Sequence, residues 1–401
     1  MSGPNTVGAA LRTWFKSPPR AHGEILNDRT VSFLELFYDL VFVVLIAQIA
    51  HTLADVVSWS AFGDFALVFS LLWIAWINGS LYHELHGRED GRARSFIFAQ
   101  MLLLVLLSVY AGHATDGDGR GFSIVYAILL ALLGLQWSGV RRYDTPEFAA
   151  ATTRYVTGTA VMTVLMAASA FVDNADAQQT IWAIVVALTL GGSLAQTLSQ
   201  DETRRAAFWV TESMAERSGL FIIIVLGEVV VGVADGLAGA ERDAGTIVTG
   251  LMALGIGMAF WWNYFDFVGG RSPRSGSGPQ TAWMFLHLPM SLFIAAAGAG
   301  MVSLIEQAGD NRTPAATSWL LAGATAGIAL TLAVLVTTMK RDPGTRLVPF
   351  TLAAAAVLAL ATGAIRPSPL VLALALNVVL GAVWMESFVR HARTGTSIVD
   401  H

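Results

Sequence analysis

Glu228 sits in the stretch "GLFIIIVLGEVVVGV", with Phe221 to Leu226 and Gly227 before it and Val229 to Val231 after it. An ionised side chain in hydrocarbon costs from roughly 3 to more than 10 kcal/mol, so an acid in such a place needs a buried partner or a cavity that water or a cation can enter. In a cavity it can exchange protons or hold a cation; in a bonded pair it holds helices together. Glu35 and Asp39, in "LELFYDLVFV", pose the same question. Four residues apart, they share one helical face. Two carboxylates that close share a proton or hold a cation between them. Alternatively, Glu35 opens its helix, where the positive end of the dipole favours an acid; Asp39, a turn deeper, fits that account less well.

Further polar groups interrupt apolar stretches. Asn78 follows "WIAWI", Asn263 and Asp266 follow "FWW", Gln100 lies near the start of another stretch, and His287 stands two residues before Pro289. Each by itself suits an interhelical hydrogen bond. Together with Glu35 and Asp39 they form a candidate proton- and substrate-binding set lining a cytoplasmic-side vestibule, with Glu228 at its deep end. Gly227, beside Glu228, invites close approach of a second backbone. Other features carry less. "YHELHGRED" lacks the H-E-x-x-H spacing that puts two imidazoles on one helical face, the chain has no cysteine, and no metal or cofactor is expected. "GATAG", Gly323 to Gly327, reads as a small-residue packing face. Trp59 and Trp319 read as members of an interfacial aromatic belt, and His51 as a wetted histidine at an outer helix end.

The elements that must position these residues are membrane helices. Of 401 residues, 55% are hydrophobic and 13% charged, about half the charged fraction usual in soluble domains, and the mean hydropathy is +0.60. A hydrocarbon core of about 30 Å takes roughly 20 apolar residues per helix. Twelve stretches qualify: 31–53, 61–82, 95–112, 122–140, 153–172, 178–198, 217–238, 245–267, 281–303, 316–339, 348–364 and 368–389. The fold class is thus an all-α polytopic membrane protein. Of the 24 Lys and Arg, all but Arg120, Arg242, Arg312 and Arg366 fall on one side of the alternating series. By the positive-inside rule, that side is the cytoplasm. Both termini are then cytoplasmic, as a tail at 1–30 and another at 390–401. The first of these has no apolar core ending in a cleavage site and reads as a tail, not a signal peptide. No basic run is dense enough for nucleic-acid binding.

The chain also repeats itself. One shift lays Leu36-Phe37 on Leu220-Phe221 and Ala50-His51 on Ala234-Asp235, and nearly the same shift lays "WIN" (Trp76 to Asn78) on "WWN" (Trp261 to Asn263). Two tandem six-helix halves follow, at 31–198 and 217–389, joined by a cytoplasmic linker at 199–216. An even helix number makes the repeats parallel, an arrangement used by secondary transporters with a site between the halves.

Five blocks together resemble the bacterial low temperature requirement A family of membrane proteins: "LELFYDLVFV" with His51, "WIAWIN", "ERSGLFIIIVLGE", "NYFDF" and "FLHLP". The resemblance spans most of residues 30–300 and implies a multi-pass protein of the bacterial cytoplasmic membrane, with Glu35, Asp39, Glu228, Asp266 and His287 among its marked positions. Members often carry Phe in the middle of the first block and Ser after the Gly-Glu pair; this chain has Tyr38 and Val229, so no role for a hydroxyl beside Glu228 carries over. The family name describes growth in the cold and supplies no substrate. From the residues, the expected function is a proton-linked secondary transporter or permeation protein whose partners are membrane lipids and a small solute or ion. The alternatives are a non-catalytic membrane component in cold or stress adaptation, or an intramembrane lipid-acting enzyme with Glu35, Asp39 and His287 as acid and base. No nucleophile elbow or nucleotide loop is present, and the chain is not expected to be an enzyme.

Overall fold

The computed structural model describes residues 14, 19–20, 31–88, 90–198, 210–241, 243–340 and 345–394. Among them run twelve long helices and no β-strand: α1 (Phe33–Asp55), α2 (Trp59–His86), α3 (Gly91–Ala111), α4 (Gly119–Val140), α5 (Pro146–Ser169), α6 (Ala175–Leu198), α7 (Glu212–Gly239), α8 (Ala244–Phe267), α9 (Ser277–Glu306), α10 (Ala315–Thr338), α11 (Val348–Ile365) and α12 (Pro369–Thr394). Eleven are long and apolar enough to cross a bilayer. The exception, α5, is threonine-rich, and hydroxyls of Thr153, Thr157 and Thr163 donate to carbonyls one turn back in the same helix at 2.7, 2.9 and 2.8 Å. Such internal bonds leave those hydroxyls needing no other partner. The linker predicted at 199–216 and the two tails lie largely outside the described residues.

The helix starts follow from short polar signals. Asp90, Thr211 and Asp243 cap α3, α7 and α8, accepting the N–H groups of Ala93, Met214 and Thr246 at 2.8, 3.0 and 2.7 Å. The backbone bond from Thr246 holds the Asp243 carboxyl below the usual carboxylate range. Within the helices, apolar residues face both inward and outward. On α3, Gln100, Leu104 and Leu107 are buried while Phe98, Leu102, Val105 and Val109 are exposed, a helix that is hydrophobic all round.

The helices pack as two compact units, one drawn from 1–45 and 70–209, the other from 46–69 and 210–401. In the first, α4 lies between α3 and α5, and α6 packs on α5. The Tyr126 hydroxyl of α4 donates to Leu71 O of α2 at 2.7 Å, and the Trp182 indole of α6 bonds Ser123 and Ser169, each at 3.0 Å. In the second unit, α9 is the most deeply buried span, packed against α7, α8 and α10. Its interior Pro289 lacks the N–H that an unbroken helix would use. Nearby, Ser291 Oγ donates to the carbonyls of His287 and Leu288 at 2.6 and 3.1 Å.

Small residues set how closely α7 and α9 approach. A Cβ at Gly232 would stand 2.5 Å from Gly298 O, and one at Gly298 would stand 3.1 Å from the Glu228 carbonyl carbon. The close approach expected at Gly227 is therefore found at Gly232, since a Cβ at Gly227 meets nothing within 4 Å. Gly227→Ala is expected to leave stability unchanged or raise it by up to about 1 kcal/mol, through helix propensity. Gly232→Ala is expected to lower it by about 1–3 kcal/mol, since a backbone must move. Thermal unfolding of the two purified variants checks the order; equal effects would refute the contact.

Candidate functional site

Among the predicted site residues, Glu35, Asp39, Asn78 and Gln100 belong to the first unit. Ser32 N–H donates to the Glu35 carboxylate at 3.1 Å and Glu35 N–H to Ser32 Oγ at 3.3 Å. This is a capping box, so Glu35 opens α1 as its position in the sequence allowed. Asp39 is fully buried and accepts the Trp76 indole N–H at 2.9 Å, tying α1 to α2. Asn78 Oδ1 accepts the Tyr155 hydroxyl at 2.5 Å, and Gln100 Nε2 donates to Gln136 Oε1 at 2.9 Å. Asp39, Asn78 and Gln100 thus join pairs of helices in the manner of intramembrane hydrogen bonds.

The second unit holds Asn263, Asp266, His287 and Glu228. Asn263 Nδ2 donates to Ala259 O at 2.8 Å and to Leu380 O at 3.4 Å, while its Oδ1 is buried with no hydrogen-bond partner among the described residues. Asp266 accepts the Trp384 indole N–H at 2.8 Å. His287 Nδ1 lies 2.6 Å from the Trp283 carbonyl, which can only accept, so Nδ1 carries the hydrogen. In the neutral ring, Nε2 then accepts from the Tyr264 hydroxyl at 2.9 Å.

Glu228 differs from the rest. It is 4% exposed in the middle of α7, and its Oε2 is buried with no hydrogen-bond partner among the described residues. Its backbone rests against Gly298 of α9, and the next residue, Val229, lies over Gly257 of α8, where a Cβ would stand 2.5 Å from the valine methyl. Towards the end of α7, Asp235 Oδ2 lies 3.6 Å from His51 Nε2, and both side chains are half-exposed. Glu228 is within electrostatic reach of both. An acid with an unmade bond, with a half-exposed acid two turns further along α7 and the α1 imidazole that meets it, is suited chemically to receiving and returning a proton.

Sequence reasoning missed most of the bonding partners. Trp76, Tyr155 and Trp384 count as apolar in composition, yet each brings one N–H or O–H to a buried acceptor. Arg20 was also missed. It is 3% exposed, and its guanidinium donates to the carbonyls of His83, Glu84 and Gly87 at 3.2, 2.6 and 2.7 Å. It thereby caps the negative end of α2. His86 Nδ1 returns a bond to Arg20 O at 2.9 Å. Among the described residues, no group of three or more His, Asp and Glu is placed to share a metal ion.

Comparison with known proteins adds two findings. Residues 30–385 match the model of the bacterial low temperature requirement A protein family. An uncharacterized protein of Rhizobium meliloti (strain 1021) is 26% identical over 287 residues, covering 66% of this chain and 67% of that protein.

The bonds of Asp39 generate a test. Trp76→Phe deprives a buried carboxylate of a donor and should cost about 1.5–3 kcal/mol. Asp39→Asn keeps the accepting oxygen and should be tolerated far better. Melting temperatures of the two variants in detergent would check this, and a loss of activity in Asp39→Asn with normal melting would return Asp39 to the functional set.

Proposed function

This chain belongs to the bacterial low temperature requirement A family, and for it we propose a proton-linked secondary transporter or permeation protein in which Glu228 takes up and releases the proton. The observation that carries this reading is the Glu228 carboxyl, buried in an apolar helix with Oε2 unbonded. An acid that served only to join helices would be bonded to one, as Asp39 is to Trp76 and Asp266 to Trp384. The half-exposed His51–Asp235 pair supports a route for protons from water. Asp235 lies seven residues beyond Glu228, which at 1.5 Å per residue is roughly 10 Å along α7.

The charge asymmetry of the loops supports a bacterial cytoplasmic membrane protein with both termini in the cytoplasm. The meeting of His51 with Asp235 supports the tandem six-helix halves, since the internal alignment equates these two positions. A small polar solute or ion is the proposed cargo, with the unbonded Asn263 Oδ1 as a further polar contact. No catalytic role is proposed for Glu35, Asp39 or His287, each of which already makes a bond that holds the fold. Those same bonds favour the second reading, a non-catalytic membrane component in cold or stress adaptation, for which Glu228 would be structural.

Glu228→Gln separates the two. The amide keeps the shape of the protonated acid and cannot cycle a proton. In liposomes holding purified protein, proton flux should be present in the wild type and fall at least about tenfold in Glu228→Gln, with folding intact. Wild-type flux in that variant would remove the proposed role of Glu228, and absence of flux from the wild type across a broad panel of solutes would favour the non-catalytic reading.

A further inference from the structure

The Gly323 to Gly327 stripe is divided in its behaviour. Gly327 packs as a small residue should, since a Cβ there would stand 2.5 Å from the Phe293 ring, but a Cβ at Gly323 would meet nothing within 4 Å. Gly323 instead walls a cavity of about 400 Å³ bounded by Trp59, Phe62, Phe293 and Trp319. That volume lies within the range of roughly 300–1,000 Å³ typical of small-molecule sites. Phe62 and Phe293 stack with ring centroids 6.4 Å apart and planes 12° from parallel. Ser58 brings the one hydroxyl of the lining, and its Oγ accepts Ala61 N–H at 3.1 Å in capping α2. A ligand for this space must be almost wholly hydrocarbon.

The position of the cavity narrows the choice. It runs alongside the first turns of α2 and α10, both apolar enough to span a bilayer, so it lies where a membrane helix meets the headgroups. Trp59, the first residue of α2, is 75% exposed there, as expected of an interfacial tryptophan. Ala315 and Ala316, the first residues of α10, also line the cavity, and the preceding Pro314 offers no side-chain acceptor to their helix end. Backbone N–H groups at the positive end of that helix favour an anionic group. We propose that this cavity is a lipid site: one acyl chain of a membrane phospholipid fills the space beside Gly323, with the phosphate at the start of α10. Side chains as small as glycine and alanine at 315, 316 and 323 hollow the helix face to admit the chain, and the stacked phenyl rings also line the space. The site is independent of Glu228 and of whether any solute is carried.

The test is the phospholipid retained after exhaustive detergent washing, measured by native mass spectrometry and by phosphorus assay. Wild-type protein is expected to keep a single phospholipid per chain. Gly323→Leu and Ala316→Leu, which place side chains into the cavity from two points, are expected to lose it while keeping the elution profile and melting curve of the wild type. Gly191→Leu on α6, where a Cβ also meets nothing within 4 Å, is expected to keep it. If Gly323→Leu fails to fold, Ala316→Leu decides. The proposal is overturned if the wild type washes free of phospholipid, if a folded cavity-filling variant retains as much as the wild type, or if the retained lipid carries no phosphate.

Discussion

The contact between Gly232 of α7 and Gly298 of α9 is the constraint on which the second unit depends. Lipid tails are as apolar as leucine, so helices inside a bilayer gain little from burying apolar surface against one another. They associate through close packing and hydrogen bonds. Two glycines facing each other bring the backbones of α7 and α9 together at the level of Glu228, and α9 is the most buried span in the unit. This holds the acid inside protein and away from lipid. The neighbouring surface of α9, alanine and glycine from Ala295 to Gly300, offers Glu228 no side-chain donor.

The same device makes room for Tyr38 and Val229. Gly79 makes room for Tyr38: a Cβ at Gly79 would lie 2.5 Å from the Tyr38 hydroxyl. Val229 stands beside Glu228, and Gly257 of α8 makes room for its methyl. In each case a larger or more polar side chain on one helix is matched by a glycine on its neighbour. Fit between helices thus depends on pairs of positions, and a change at one member alone would disturb packing by at least a methyl group.

The helices themselves were legible in the sequence, because a bilayer demands long apolar segments: each of the twelve stretches corresponds to a helix, eleven of them long and apolar enough to cross. The short stretch at 348–364 corresponds to α11, Val348–Ile365. The role of each polar residue was less legible. A hydrogen bond such as Asp39 to Trp76 joins residues on different helices, and nothing in either local segment names the partner. Rotation about a helix axis also escapes reading, since each residue turns by about 100°. That is why Gly227, beside Glu228, and Gly232, four residues beyond it, have opposite surroundings, one open and one closed. Arg20 read as a tail residue because capping a distant helix end leaves no periodic signal. Glu228 was legible on its own, since no partner was needed to make it anomalous.

Proton exchange at Glu228 is observed most directly by infrared difference spectroscopy of the protein in lipid, recorded as bulk pH is stepped. A carboxylic acid C=O band and a carboxylate band should exchange intensity with pH, and both should vanish from the difference spectrum in Glu228→Gln while bands from other acids remain. A difference spectrum that is identical in the wild type and Glu228→Gln would mean that Glu228 does not titrate, and it would contradict a role for this residue in moving protons.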